Sequence, residues 1–400
     1  MELTSDFPFW SIRDGLPQSY PSLQRDITCD AVVVGGGITG AMAAFHLAKD
    51  GVDTVLLDKR DVGTGSTCGS TGLLQYEIDL PLRELARRVG GDRAARAYRL
   101  NYEAIRKIGD LARACKIDCD FARRPSLYLA REQGETPGFV EECKLRQQLD
   151  FEVECWSQRD IAAHFPFCRP CALFSENAAQ VDPYRLTHGL LGAASQHGLR
   201  VYDRTAAARF SAERRGIRVK TEAGFVVKAR RAVLAAGYES IRYVRGEAGR
   251  LKSTYALISE PASDDATWFR QSLIWESGMP YLYMRGAENG RVIVGGEDVN
   301  LVKAGRRDAL ICRKTKTLLR KFAELFPQRQ LEVAYAWAGT FGETKDGLPY
   351  IGENPGLRHA YFALGYGGNG ITYSLIAAEI IRDLFLGRRN ADAEVFKFGR

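Results

Sequence analysis

The sequence predicts an α/β protein of two parts, one built on a parallel sheet covered by helices and the other on an antiparallel sheet. Three patterns carry this prediction: a strand, glycine loop and helix over residues 30–49, a second short strand within 51–58, and several strand-like segments between 253 and 295. Strands that alternate with helices are typical of parallel sheets, whereas strands in close succession are typical of antiparallel ones. A chain of 400 residues has room for more than one domain.

The first unit has the spacing of a dinucleotide-binding loop. An aliphatic run at 30–34 leads into glycines at Gly35, Gly37 and Gly40, and a helix of small residues follows. The first glycine makes a tight turn, the second lets backbone N–H groups approach a pyrophosphate, and the third lets the helix pack closely on the strand. The next strand ends in Asp58, an acid at the position that accepts hydrogen bonds from ribose hydroxyls. These residues predict a Rossmann-like domain with an adenine dinucleotide.

A second glycine loop lies near the other end of the chain. Residues 365–370 follow the strand-like segment 359–364 and precede an apolar helix that we expect to stop at Gly387. No strand ending in an acid follows, so we expect this loop to serve the first unit. The N-terminus of its helix would favour negative charge on a reduced flavin ring. The alternative is a glycine-rich turn without a ligand.

Composition excludes several functional classes. The 56 basic and 49 acidic residues are scattered rather than clustered, which argues against a nucleic-acid partner. The longest aliphatic runs are far shorter than the roughly 20 residues of a transmembrane helix. The first 30 residues lack the apolar core of a signal peptide. Nine cysteines in a chain of this length fit a reducing compartment, so we expect a cytoplasmic protein.

Several further segments resemble one enzyme family. With the first glycine loop, residues 65–73, 181–183, 231–237 and 337–352 are similar to the D-amino-acid oxidase superfamily of FAD enzymes, near its glycine oxidase and gamma-glutamylputrescine oxidase members. The resemblance covers nearly the whole chain. It implies an FAD-binding domain that is discontinuous in sequence, joined to a substrate domain with an antiparallel sheet.

The resemblance also implies where FAD lies. The adenosine would contact Asp58 and Ala207, the pyrophosphate would lie on the first glycine loop, and the flavin ring would lie between residues 66–73 and the last glycine loop. The implied cofactor-binding residues are Gly35, Gly36, Gly37, Ile38, Thr39, Gly40, Asp58, Lys59, Ser66, Thr67, Ser70, Thr71, Leu73, Ala207, Ala236, Gly237, Gly367, Gly368, Asn369, Gly370, Ile371 and Thr372.

The expected domain organisation follows the family. It consists of an N-terminal extension at 1–27, an FAD-binding domain at 28–80, 172–240 and 336–400, and a substrate or cap domain at 81–171 and 241–335. Apolar spacing predicts helices over 81–115 and 183–198. Short alternating segments predict a β-meander over 199–237, and aromatic or β-branched segments predict strands at 253–259, 281–285 and 291–295.

The resemblance implies oxidation of an amine or amino acid, with a hydride leaving the carbon next to nitrogen for flavin N5. Tyr281, Tyr283 and Arg285, on strands expected to face the flavin, and Phe341 are the candidate catalytic residues. Phe341 stands where glycine oxidase has an arginine that binds the substrate carboxylate, and Gly368 replaces a second arginine. Both departures favour an amine over a small amino acid.

Two alternatives stay open at this point. One is an FAD-dependent dehydrogenase of a 2-hydroxy acid or glycerol phosphate, and the other is a flavoprotein without turnover. The aromatic pair Phe9 and Trp10 resembles the N-terminal extension of gamma-glutamylputrescine oxidase and adds to the amine interpretation. Ile293 replaces a lysine that activates oxygen in sarcosine oxidase, so the electron acceptor can be oxygen, a quinone or a carrier protein.

The cysteines and histidines carry weaker signals. Gly69 occupies the place of a histidine that tethers flavin in related dehydrogenases, and its neighbour Cys68 is expected to be a buried thiol, so we expect noncovalent FAD. Cys168 and Cys171 have a CxxC spacing, for which zinc or redox roles are the alternatives to burial. The five histidines show no metal-ligand spacing, and no metal is expected.

Overall fold

The computed structural model describes residues 2–5, 8–244, 249–262 and 268–400. Parts of the predicted extension at 1–27 and of the predicted segment 241–335 therefore lie outside the described residues.

The structure contains strands β1 (Ile27–Val34), β2 (Thr54–Leu57), β3 (Leu73–Gln75), β4 (Ala122–Leu129), β5 (Val153–Ser157), β6 (Cys171–Gln180), β7 (Arg200–Tyr202), β8 (Ala207–Ala212), β9 (Ile217–Thr221), β10 (Val226–Leu234), β11 (Arg250–Ser259), β12 (Leu273–Glu276), β13 (Leu282–Gly286), β14 (Val292–Val299), β15 (Val333–Glu343), β16 (Tyr350–Glu353) and β17 (Ala360–Leu364). Its helices are α1 (Phe9–Asp14), α2 (Ile38–Lys49), α3 (Ser66–Gly69), α4 (Leu82–Val89), α5 (Gly91–Ala114), α6 (Thr136–Gln148), α7 (Gln158–His164), α8 (Pro183–Gln196), α9 (Ala304–Asp308), α10 (Ile311–Leu325), α11 (Gly370–Phe385) and α12 (Ala393–Phe396).

The first sheet has the predicted Rossmann-like form. Its strand order is β16-β17-β10-β1-β2-β7, and the four pairs from β17 to β7 are parallel. Ala31, Val32 and Val33 on β1 are fully buried, as expected for a parallel strand covered on both faces. Helix α2 packs against α8 and α11 on one side of this sheet.

The second sheet is the predicted antiparallel one. Its strand order is β15-β11-β14-β13-β12-β4-β6-β3, with β5 paired to β6, and within it the β12–β4 pair is parallel. Phe322 and Phe326, at the end of α10, belong to the apolar core beneath this sheet. The strands predicted at 253–259, 281–285 and 291–295 are β11, β13 and β14, which are neighbours here.

Glycines set the ends of the predicted helices. The helices predicted over 81–115 are α4 and α5, which are separated at Gly90, whose φ of 89° no right-handed helix adopts. The helix predicted over 183–198 is α8, and Gly198 after its end also has a φ of 89°.

The meander predicted over 199–237 is wrong in one strand. Strands β8, β9 and β10 are antiparallel neighbours, but β7 pairs in parallel with β2 instead. The strands of the first sheet come from three separate stretches of the chain. The domain boundaries themselves stay a prediction.

Helix α5 is 24 residues long, but it carries charged side chains throughout its length. In the described part of the chain, no helix combines the length and apolar character needed to cross a membrane.

Candidate active site

A cavity of about 250 Å³, here called the glycine-loop cavity, lies at the carboxyl ends of β1, β2, β10 and β17. Ligands of open parallel sheets bind at this edge. The structure brings most of the predicted cofactor-binding residues to it: Gly35, Gly37, Ile38, Thr39, Asp58, Lys59, Ser66, Thr67, Ser70, Ala207, Ala236, Gly237, Gly370 and Ile371.

Glycine is required at two positions of the first loop. Gly35 has a φ of 111°, and a Cβ there would overlap the carbonyl of Ala235. A Cβ on Gly40 would overlap the carbonyl of Gly35, so α2 can approach β1 only with glycine at this place.

Gly36 and Gly40 do not line the cavity, although both were predicted to bind the cofactor. The N–H of Gly36 donates to Asp58 Oδ2 at 2.6 Å, and Gly40 lies between helix and strand. These two glycines therefore shape the loop instead of lining the space beside it.

Asp58 is held at the end of β2 by main-chain donors. Its Oδ1 accepts from the N–H of Arg60 at 2.8 Å, while Oδ2 accepts from Gly36. Burial is the largest influence on this carboxyl and raises its pKa above the ordinary value.

Several polar groups in the glycine-loop cavity remain available to a ligand. Ser66 Oγ and the Tyr366 hydroxyl are buried and have no hydrogen-bond partner among the described residues. The N-cap residues of α2 and α11, Gly37 and Asn369, make no side-chain capping bond. Two helix N-termini whose own N-cap residues make no side-chain capping bond fit a ligand with a pyrophosphate and a polar ring edge.

A second cavity of about 230 Å³, here called the sheet cavity, lies against the antiparallel sheet. It shares Ser66, Ser70, Tyr238 and Gly370 with the glycine-loop cavity, so the two spaces meet. The other predicted residues that line it are Thr71, Leu73, Tyr281, Tyr283, Phe341, Gly367, Gly368 and Asn369.

Arg285 does not line the sheet cavity, contrary to the prediction. Its side chain is fully buried, and its guanidinium donates to the carbonyls of Thr71 at 2.8 Å and Gly286 at 2.9 Å. Burial lowers its pKa to about 10. The guanidinium thus supports the loop that contains Thr71 and is not placed to bind a substrate anion.

Thr372 also lies outside both cavities, contrary to its prediction as a cofactor-binding residue. Its side chain is turned toward α5, where its hydroxyl lies 2.6 Å from Asn101 Oδ1. Although Thr372 lies in the first turn of α11, its side chain faces α5, which packs on α11, and not the ligand edge.

Three acidic side chains of the sheet cavity were missed from the sequence: Glu77, Asp79 and Asp298. Asp79 Oδ2 accepts from the N–H of Gly368 at 2.9 Å, which joins it to the last glycine loop. Burial raises the pKa of both aspartates to about 6. One signal was available: Glu77 and Asp79 stand two residues apart, shortly after the three-residue strand β3.

The described charged side chains that line the sheet cavity are all acidic. Among the residues that the structure describes, no arginine, lysine or histidine lines it. Lys252 lies nearby, but its Nζ is paired with Glu343 at 2.7 Å. Rings of Tyr238, Trp275 and other aromatic residues complete the lining. An acidic, aromatic cavity is suited to a cation.

Two tryptophans hold the loop after α3. Trp10 Nε1 donates to the carbonyl of Ser70 at 2.7 Å, and Trp337 Nε1 donates to that of Gly69 at 2.9 Å. Cys68 beside them is buried, which raises the pKa of its thiol to about 12. A protonated thiol is a poor nucleophile, which adds to the expectation of a noncovalent cofactor.

The N-terminal extension contributes to the site directly. The N–H of Thr340 donates to the carbonyl of Leu3 at 2.7 Å, and the N–H of Ser5 donates to that of Ala338 at 2.9 Å. Leu3 then lines the glycine-loop cavity. No pattern in the sequence predicts this contact.

Cys168 and Cys171 differ in environment, since the first is exposed and the second buried. Across the described ranges, no group of three or more His, Cys, Asp or Glu side chains has an arrangement that could hold a metal ion.

Comparison with known proteins gives a consistent result. The sequence model of the FAD dependent oxidoreductases, DAO, matches residues 30–384. Gamma-glutamylputrescine oxidoreductase of Escherichia coli (strain K12) is 26% identical over 393 residues, which cover 94% of this chain and 87% of that protein. Glycine oxidase of Bacillus subtilis (strain 168) is 24% identical over 376 residues, covering 90% and 93%. The crystal structure of glycine oxidase from Geobacillus kaustophilus matches with a TM-score of 0.79 at 21% identity, covering 93% and 99%.

Proposed function

Because the chain belongs to the DAO family of FAD-dependent oxidoreductases, we propose that it oxidises an amine at the carbon next to nitrogen. The observation that carries this proposal is the sheet cavity, whose charged lining residues are the acids Glu77, Asp79 and Asp298. The names of two relatives specify gamma-glutamylputrescine and glycine as their substrates. These names support an amine or amino acid, and the charge of the cavity favours the amine.

The residues of the glycine-loop cavity fit FAD. Asp58 would bind the adenosine ribose, and the N-terminus of α2 after Gly37 would face the pyrophosphate. Ser66 and the N-terminus of α11 lie where the two cavities meet, which suits the flavin ring. When bound, FAD supplies an acceptor for a hydride.

The protein's own residues orient the amine and neutralise its charge. Asp79 and Asp298 would pair with the ammonium group, and the rings of Tyr281 and Tyr283 would cover its apolar part. The ammonium must lose one proton before the C–H bond breaks, and Asp79 is the acceptor we propose. The neutral amine then gives up a hydride with two electrons, which leaves a C=N bond in the product.

This site is less suited to bind a substrate with a carboxylate group. Arg285 is engaged with backbone carbonyls, and Phe341, which lines the cavity, carries no charge. A 2-hydroxy acid or a glycerol phosphate would bring an anion to three acids without a cationic partner among the described lining residues. A flavoprotein without turnover would not need two cavities that meet at Ser66 and Gly370.

A panel of substrates under anaerobic conditions tests the proposal. Primary and secondary amines should bleach the flavin absorption, whereas hydroxy acids and glycerol phosphate should not. Bleaching by a hydroxy acid and by no amine would show that the proposal is wrong. Mixing the reduced protein with oxygen or a quinone then identifies the acceptor, for which oxygen, a quinone and a carrier protein all stay candidates.

We also place the protein in the cytoplasm. All nine cysteines are free thiols, which supports a reducing compartment.

Cation binding should weaken as the pH falls through about 6. Burial raises the pKa of Asp79 and of Asp298 to about 6, so both carboxylates lose their charge below that pH. Tetramethylammonium keeps its charge at every pH and cannot be oxidised at nitrogen, so it reports the charge of the protein. Its Kd, measured by perturbation of the flavin spectrum, should rise about tenfold from neutral pH to about one pH unit below these pKa values.

The exposed Asp118 provides the control for this titration, because Asp118→Asn changes a carboxylate remote from the sheet cavity. Its pH profile should match the wild type. A Kd that is constant across the same range would contradict the assignment of these carboxylates to cation binding.

The variant Phe341→Arg should gain activity on small amino acids. Phe341 lines the sheet cavity beside Thr340, and an arginine there would supply the missing partner for a carboxylate. We expect kcat/KM for glycine to rise about tenfold and that for amines to fall, since the new charge also pairs with the acids. Phe341→Leu, which stays uncharged, is the matched control. An unchanged ratio of glycine to amine turnover in Phe341→Arg would remove this argument.

A further inference from the structure

We infer that the sheet cavity contains a second anionic subsite at Glu77, which binds a distal ammonium group of the substrate. The substrate class is then a linear diamine or longer polyamine, with one nitrogen at Asp79 and another at Glu77. This inference rests on the proposed amine oxidation.

The charge balance around Glu77 is incomplete. Glu77 is 3% exposed, and its Oε1 lies 3.4 Å from Arg146. Its Oε2 has no hydrogen-bond partner among the described residues. The same guanidinium donates through Nε to Glu142 at 2.8 Å. One buried arginine thus faces two buried carboxyl groups, and burial raises the pKa of Glu77 above its ordinary value despite that arginine.

Glu142 is the carboxylate that already has its full set of partners. Besides Arg146, it accepts the N–H groups of Leu82 at 2.7 Å and Arg83 at 3.0 Å. The carboxyl with the incomplete set of partners is therefore Glu77, which lines the sheet cavity. An unpaired carboxylate in a buried place is costly, and a cationic ligand would remove that cost.

The last glycine loop is hydrogen-bonded to the backbone of the segment that contains Glu77. Asn369 Nδ2 donates to the carbonyls of Gln75 and Glu77, at 2.9 Å each, so the last glycine loop holds this segment. Gln75, Glu77, Ile78 and Asp79 all line the cavity, so the short stretch that begins at the end of β3 brings both carboxylates to the same space.

The spacing of the two acids limits the length of the substrate. Each residue of an extended chain advances about 3.3 Å, so two residues of the chain advance by at most about 7 Å. Each bond of an extended alkyl chain advances roughly 1.25 Å, so four or about five carbons between two nitrogens span that distance. Trp275, which lines the same cavity, offers an apolar wall to the methylene groups.

The test compares butane-1,4-diamine with butylamine as donors to the FAD-loaded protein. We expect kcat/KM for the diamine to exceed that for butylamine by about tenfold to a hundredfold, the range of a charge-assisted bond. The preference should lie in KM, because the distal nitrogen takes no part in the hydride step. Among diamines with three to six carbons, the four- and five-carbon chains should be preferred.

Variants then assign the preference to one carboxylate. Glu77→Gln should reduce the ratio of diamine to monoamine to about one, while Glu77→Asp, which keeps the charge, should retain part of it. Glu141→Gln alters an exposed acid one residue from Glu142 and should leave the ratio unchanged. FAD content and melting temperature show whether each variant is folded. If Glu77→Gln does not fold, the wild-type chain-length series and Glu77→Asp decide the question.

Equal kcat/KM for butylamine and the diamine in the wild type would overturn the inference and leave amine oxidation intact. A diamine preference that persists in folded Glu77→Gln would also overturn it. Failure of every amine to reduce the flavin would instead overturn the proposed function.

Discussion

The variant Gly37→Val should lose its FAD. Gly37 is the N-cap of α2, and a Cβ there would lie 2.9 Å from Thr67 Oγ1, which already accepts the N–H of Ile38 at 2.9 Å. Valine adds two more carbon atoms at the place where we propose that the pyrophosphate lies. We expect the Kd for FAD to rise at least about a hundredfold and the purified protein to be colourless.

Titration of the apoprotein with FAD, followed by flavin fluorescence, measures this change. Gly134→Val is the control, because nothing lies within 4 Å of a Cβ at that glycine. A yellow, fully loaded Gly37→Val protein would contradict the proposed position of the pyrophosphate.

The variant Asp79→Asn should lose most of its amine oxidation while it keeps FAD. The amide can still accept from the N–H of Gly368, so the last glycine loop should keep its conformation. What disappears is the negative charge that we propose for the substrate ammonium and the acceptor for its proton. Removing one partner of a buried charge pair costs about 2–5 kcal/mol, so kcat/KM should fall by a factor on the order of a hundred or more.

Anaerobic flavin reduction by butylamine measures this loss, and Asp118→Asn provides a remote carboxylate for comparison. Rates within threefold of the wild type would show that Asp79 is not needed. A fall in FAD content would point to a structural role instead.

The features that sequence predicted well are those with local causes. Gly35 must adopt a φ of 111°, and Gly40 must let a helix approach a strand, so both requirements appear as glycines at fixed spacing. The antiparallel strands β11, β13 and β14 have enough aromatic and β-branched residues to be found without a structure. The cavity-lining positions of Tyr281 and Phe341 came from a family resemblance and not from their pattern.

The missed features depend on contacts between distant parts of the chain. Asp79 reaches Gly368 across 289 positions, and it follows a strand of only three residues. Arg285 was misplaced because its carbonyl partner in Thr71 lies 214 positions away. The short β7 was assigned to a meander because three residues show no periodicity that distinguishes parallel from antiparallel pairing.

The pairing of residues 2–5 with β15 affects when, during synthesis of the chain, the cofactor cavity can be completed. Leu3 and Gly370 line one cavity, and the parallel sheet joins β1 to β10 and β10 to β17. A ribosome delivers Leu3 first and the last glycine loop hundreds of residues later, so the nascent chain has no complete cavity for most of its synthesis. Flavin insertion is therefore a late event that follows translation of α11, and residues 2–5 have no partner strand until β15 has been translated.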